Sequence, residues 1–184
     1  HVDIMDGHYV PNITFGPNIV KSLRKVTSKI LDVHLMIKPV KKYINEFVEA
    51  GSDIITFHPE ADDNPKEIIK MISDAEIKAG IAIHPEVNIA DIDHLFSKVQ
   101  QIIVMTVTPG FGGQKFMHDQ VQKIKDLDEI RKNNNYNYDI AVDGGVNNEN
   151  AKICKDNGAN VLAVGSYLLS QNQNNYNKII NSLR

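Results

Sequence analysis

The chain carries a single cysteine, Cys154, so it can form no internal disulfide. It has no apolar run near the roughly 20 residues that a membrane-spanning helix needs. Its start shows no signal-peptide pattern. Neither sign of charge dominates: 20 Lys and Arg against 23 Asp and Glu leave a net charge of −3, which gives no reason to expect nucleic acid or a membrane surface as partner. These absences favour a reducing, cytoplasmic setting. An initiator Met is missing too, and residue 1 already lies in an apparent strand. The sequence therefore reads as a fragment lacking its upstream part.

What is present is an ordinary globular composition, 42% hydrophobic and 23% charged. A chain of 184 residues can bury one sizeable core, so residues 1–184 are read as one domain. Short runs of consecutive apolar residues predict strands over 2–5, 30–34, 54–57, 79–83, 102–106, 138–142 and 161–164. Such runs suit strands buried on both faces. Amphipathic stretches lie between them. Residues 40–50 align Val40, Tyr43, Ile44, Phe47 and Val48; residues 65–75 align Ile68, Ile69 and Ile72 behind Pro65; residues 121–130 align Val121, Ile124, Leu127 and Ile130. A further helix over 150–157 places Cys154 as a packing residue. Gly51, Gly80 and Gly158 are read as helix terminators. The asparagine-rich segments 133–135 and 171–177 are read as a solvated loop and a polar surface segment.

Strands alternating with helices predict a parallel α/β architecture. An open doubly wound sheet and a closed (β/α)8 barrel both fit. The barrel is favoured because chemically suggestive residues follow many different strands instead of clustering at one switch point. Seven βα units make a TIM barrel lacking its first unit, which should lie upstream.

His1 and Asp3 are two apart, so on a strand they share a face. His34 ends the next predicted strand and Asp143 follows a later one. Two imidazoles and two carboxylates suit Zn²⁺, Fe²⁺, Mn²⁺ or Co²⁺. Any one of these four, taken singly, is more simply a core histidine or a helix cap; their recurrence at strand ends makes a site the better reading. Gly110, Phe111, Gly112 and Gly113 follow the fifth strand, Gly144 and Gly145 the sixth, and Gly165 with Ser166 the seventh. Glycine turns let backbone N–H groups approach an oxyanion, and Ser166 opens a helix, so three such turns suggest a phosphate grip over plain turn chemistry. Met5, Met36 and Met105 end strands beside these residues. They are either core filling or a water-excluding cap over the site. His58-Pro59-Glu60 and His84-Pro85-Glu86 also follow strands, where they could line the mouth, but are read as polar loops; His8, His94 and His118 are read as loop or helix-surface residues.

Four segments carry a family resemblance. The first runs from His1-Val2-Asp3-Ile4-Met5-Asp6-Gly7-His8 through Asn12, the second is His34-Leu35-Met36-Ile37, the third runs from Val104 to Phe116, and the fourth is Val142-Asp143-Gly144-Gly145-Val146. In that order they resemble the motifs of ribulose-phosphate 3-epimerases. The resemblance implies a TIM barrel that interconverts D-ribulose 5-phosphate and D-xylulose 5-phosphate in the pentose phosphate pathway. It implies one divalent metal ion held by His1, Asp3, His34 and Asp143, with Asp3 and Asp143 exchanging protons with C3. It implies that His34, Gly110 to Gly113, Asp143 to Gly145, Gly165 and Ser166 bind the substrate, under Met5, Met36 and Met105, and that the protein is a homo-oligomer. The family also carries a substrate-contacting Ser on a first strand that has no counterpart here. Two alternatives remain at this stage: a metal-dependent barrel hydrolase, and a phosphosugar-binding protein without catalysis.

Overall fold

Seven short strands and eight helices alternate along the computed structural model, which describes all 184 residues. The strands are β1 (Val2–Met5), β2 (Asp32–Met36), β3 (Ile54–Phe57), β4 (Lys78–Ile83), β5 (Gln101–Met105), β6 (Asp139–Asp143) and β7 (Val161–Ala163). They form one sheet in sequential order, and every neighbouring pair is parallel. The helices are α1 (Pro17–Arg24), α2 (Ile44–Glu49), α3 (Pro65–Asp74), α4 (Ile89–Ile92), α5 (Val121–Asn134), α6 (Asn150–Asp156), α7 (Ser166–Leu169) and α8 (Tyr176–Leu183). This is the α/β barrel arrangement with seven of its strands, open between β7 and β1.

The sheet is strongly curled. With strands spaced about 4.8 Å apart, a flat sheet would hold β1 and β6 roughly 24 Å from one another. Instead His1, which precedes β1, reaches to 3.8 Å from Asp143 at the end of β6. The curl gives the sheet two differently filled faces. Outside it, 36 buried residues join the strands to the helices, among them Ile44 and Phe47 of α2, Ile68 and Ile72 of α3, and Ile124 and Leu127 of α5. Cys154 belongs to this layer, and burial pushes its thiol up to about 11. Inside the curl a smaller group, Ala82, Ile103, Met105, Val107 and Ala141, fills the centre.

Two local readings are corrected. Gly80 does not end a helix; it lies within β4, where a Cβ would fall 2.2 Å from Thr56 Oγ1. The inner face there is already filled by Thr56 and Gln101, so only a residue without a side chain fits. The left-handed position after α3 is taken by Glu76 at φ 60°. Residues 133–135 are not a free loop: Asn134 ends α5, and Asn135 adopts φ 55° as its left-handed cap, donating its N–H to Arg131 O. The helix opened by Ser166 is only one turn, and α8 follows it after a polar stretch. No helix is long and apolar enough to cross a membrane.

Candidate active site

The curl creates a cavity of about 740 Å³ at the carboxyl ends of the strands. Strand register builds its floor. Asp3 of β1 lies beside His34 of β2, and one pleat further Met5 lies beside Met36. Met105 of β5 lies beside Asp143 of β6. Met5 and Met36 therefore stand two residues beyond Asp3 and His34 along their strands, whereas Met105 stands level with Asp143. His1, Asp3, Met5, Met36, Met105, Gly110 to Gly113, Asp143 to Gly145, Gly165 and Ser166 all line the cavity. His34 is fully buried beneath it.

The four polar side chains converge. Asp3 Oδ1 is 3.3 Å from His1 Nε2 and 3.1 Å from His34 Nδ1. Asp143 Oδ2 is 3.8 Å and 3.7 Å from the same two nitrogens. One donor atom from each residue lies within 4.8 Å of every other. A tetrahedral ion with ligands at about 2.0–2.1 Å has ligand–ligand edges of about 3.3–3.4 Å. The four measured edges bracket that value, so the residues fit a divalent cation in both donor type and spacing.

The electrostatics follow from the same contacts. Burial opposes charge on His1, but the neighbouring carboxylates of Asp143, Asp3 and Asp32 outweigh it and raise its pKa well above the ordinary value. His34 is likewise raised, burial being overcome by Asp143 and Asp3. Burial alone would raise Asp3 and Asp143; the two imidazoles reverse this and hold both carboxyls below their usual range. Both acids are therefore anionic, and each imidazole is arranged to share a proton or a cation with them. One oxygen of each carboxylate faces the imidazoles, while Asp3 Oδ2 and Asp143 Oδ1 make no hydrogen bond within the chain.

A second group of polar residues supports the first. His1 Nδ1 is 2.8 Å from Asp32 Oδ2, and Asp32 Oδ1 accepts from Gln101 Nε2, which also donates to Thr56. His34 Nε2 is 3.0 Å from His58 Nε2. His58 is fully buried, contrary to its reading as loop polarity, and burial pushes its pKa down to about 4. Asp32, Gln101 and Thr56 were not singled out by sequence. Asp32 had a signal, being two before His34 and hence on its face of β2. The only sign of His58 was its position directly after β3. His8, His94 and His118 are exposed as expected.

The glycine turns form the opposite rim. No N–H of Gly112, Gly113, Gly144, Gly145, Gly165 or Ser166 donates to another group of the chain. These residues line the same cavity as the carboxylates. The turns are tightly stacked: at φ +118°, Gly144 has space for no Cβ beside Val107, and a Cβ on Gly145 would lie 2.8 Å from Phe116 N. Asn12 Nδ2 donates to Gly110 O, tying the loop after β1 to the rim.

The fold defines an α/β-barrel protein with a cavity at the carboxyl ends of its strands, and solved structures of low sequence similarity share that fold. KGPDC from Streptococcus mutans superposes with a TM-score of 0.70 over 100% of this chain and 91% of its own, at 14% identity. Sequence comparison is more specific. Residues 1–169 match the model of the ribulose-phosphate 3 epimerase family. The ribulose-phosphate 3-epimerase of Bacillus subtilis is 44% identical over 93% of this chain and 79% of its own length. That of Escherichia coli K12 is 38% identical over 100% of this chain and 81% of its own. The chain belongs to the ribulose-phosphate 3-epimerase family, a group of isomerases acting on carbohydrates.

Proposed function

We propose that the cavity epimerises a pentose 5-phosphate at C3, interconverting D-ribulose 5-phosphate and D-xylulose 5-phosphate, with Asp3 and Asp143 as the two proton carriers. The observation that carries this reading is the pairing of carboxylates from β1 and β6 over one cavity, each with one oxygen left unbonded. Inversion at carbon requires a proton to leave one face and another to arrive at the opposite face. A single base tends to return its proton to the side it came from. Two separately mounted acids avoid this, one acting as base while the other acts as acid, with roles exchanged in the reverse direction.

The C3 hydrogen is acidic only while the neighbouring C2 carbonyl can accept the negative charge as an enediolate. His1, Asp3, His34 and Asp143 would hold one divalent cation, which when bound supplies charge stabilisation at the C2 and C3 oxygens. The donor set is of the type taken by Zn²⁺, Fe²⁺, Mn²⁺ or Co²⁺. Around the reacting carbons Met5, Met36 and Met105 present apolar surface that excludes water. The free N–H groups of Gly112, Gly113, Gly144, Gly145, Gly165 and Ser166 suit the dianionic phosphate at the far end of the sugar. Gripping it there fixes C3 between the acids and uses binding energy from a part of the substrate that does not react.

The test is solvent deuterium wash-in at C3 of ribulose 5-phosphate, with and without chelator. Epimerisation with deuterium uptake, lost on chelation and restored by added metal, is the expected result. Tight binding of the sugar phosphate without exchange would leave a binding protein in place of an enzyme.

A further inference from the structure

The sequence reading gave His58 no role, yet the structure buries it completely against a residue of the metal-site cluster. We propose that His58 is a positioning residue that holds His34 in the tautomer able to bind the metal ion, and that Glu60 and Tyr9 hold His58 in turn. The proposal rests on the reading above that His34 is a ligand.

The geometry assigns each proton. His34 Nδ1 faces the carboxylates, 3.1 Å from Asp3 Oδ1. Its Nε2 points the other way, 3.0 Å from His58 Nε2. Two ring nitrogens at that separation share one proton, one donating and the other accepting. If Nδ1 gives its lone pair to an ion, the His34 proton must sit on Nε2. His58 Nε2 is then the bare acceptor, and the His58 proton sits on Nδ1. That nitrogen lies 3.3 Å from Glu60 Oε1, a charge–dipole contact and not an aligned hydrogen bond. Tyr9 Oη donates to the same Glu60 oxygen at 2.7 Å, fixing the carboxylate in place. The chain from His34 through His58 to Glu60 therefore runs in one direction only.

Loss of His58 would leave the Nε2–H of His34 buried without a partner. The proton would then be better placed on Nδ1, donating to Asp3, and this tautomer blocks the ion. Metal-binding histidines generally have their second nitrogen held by an acceptor, most often a carboxylate or carbonyl. His1 follows that pattern through Asp32. For His34 the acceptor is a neutral imidazole, itself oriented by a carboxylate one step further away.

The decisive measurement uses the wild-type chain loaded with Zn²⁺ and labelled with ¹⁵N-histidine. Long-range ¹H–¹⁵N correlations should show His34 protonated on Nε2 and His58 on Nδ1, with the His58 signals assigned by their absence in His58→Gln. A proton on His58 Nε2 in the zinc-loaded protein overturns the relay and leaves the metal site standing. Wild-type protein that takes up no zinc overturns both. Chelator competition gives a second readout. Folded His58→Leu should bind Zn²⁺ about 10–100-fold more weakly, in the range typical of lost supporting partners. His58→Gln, whose amide can accept from His34 and donate toward Glu60, should recover most of that loss. Unchanged affinity in His58→Leu, or a folded His58→Gln that binds as poorly as His58→Leu, also overturns the proposal. If His58→Leu does not fold, the tautomer measured in the wild type decides the matter.

Discussion

Replacing Asp143 by Asn removes one proton carrier while keeping the side chain's shape. Asp143 and Asp3 stand on strands five apart in the sheet, yet both line one cavity, and each has one oxygen without a partner. If those oxygens serve opposite faces of C3, the two acids divide the reaction between them. Loss of a positioned general acid or base costs typically about 10²–10⁴-fold. That corresponds to about 2.7–5.4 kcal/mol in the barrel's transition-state stabilisation. Asp143 is also placed to hold the ion, so metal content must be measured in the same samples. The informative assay follows C3–H by proton NMR in D₂O, starting separately from each epimer. Wild type should exchange both. Metal-loaded Asp143→Asn should fail to epimerise, yet wash deuterium into the one epimer whose C3–H faces Asp3, because that base still works and returns a solvent deuteron to the same face. Asp3→Asn should show the complementary pattern. Exchange of both epimers at similar rates by either variant, or turnover within about tenfold of wild type, would refute the two-base arrangement.

Removing the metal should lower stability without unfolding the chain, because the imidazoles can pair with the carboxylates directly. At free metal about 1,000-fold above its Kd the linkage is about 4.1 kcal/mol. For a chain of this size that predicts a Tm drop of about 8–16 °C on chelation, readable by calorimetry. Gly145→Ala should destabilise the fold by more than about 1 kcal/mol in urea titration, since its φ of +66° and the 2.8 Å approach to Phe116 N leave no room for a Cβ. Asp128 accepts from Lys132 and Arg131, and these contacts lower its pKa. Its carboxylate therefore contributes stability that is fully present above the unfolded-state pKa of about 3.9 and is lost as pH falls through the lower folded value. Solvent around Lys132 limits the effect to about 0.5–1 kcal/mol. The stability gap between wild type and Asp128→Asn should hold from neutral pH to about 5 and narrow as denaturant titrations go below about pH 4.

Much of the fold was legible because its signals are local. Val2–Met5 and Ile54–Phe57 are the predicted strands without change, and the apolar faces at Ile44 and Phe47, at Ile68 and Ile72, and at Ile124 and Leu127 all point into the core. The failures lie where a distant neighbour overrides the local pattern. Gly80 resembles a helix terminator until Thr56 fills the space beside it. The asparagines after Ile130 resemble loop, but α5 continues and uses Asn135 as its cap. At the site, His1, Asp3, His34 and Asp143 were visible as a set because they recur at strand ends, whereas His58, which also directly follows a strand, was read as loop polarity because nothing local showed its burial.

The sequence alone determined the period of the fold and the chemical types at its strand ends, because burial on both faces dictates apolar runs and strand alternation assigns each residue a side. Only the tertiary structure decided which of those residues meet. Register between neighbouring strands placed His34 beside Asp3. The curl of the sheet carried Asp143 from the sixth strand to within 3.8 Å of His1. Burial beneath the cavity turned His58 from loop polarity into a partner of His34. Register and curl come from packing between segments far apart in the chain, and no window of sequence short enough to read by periodicity contains them.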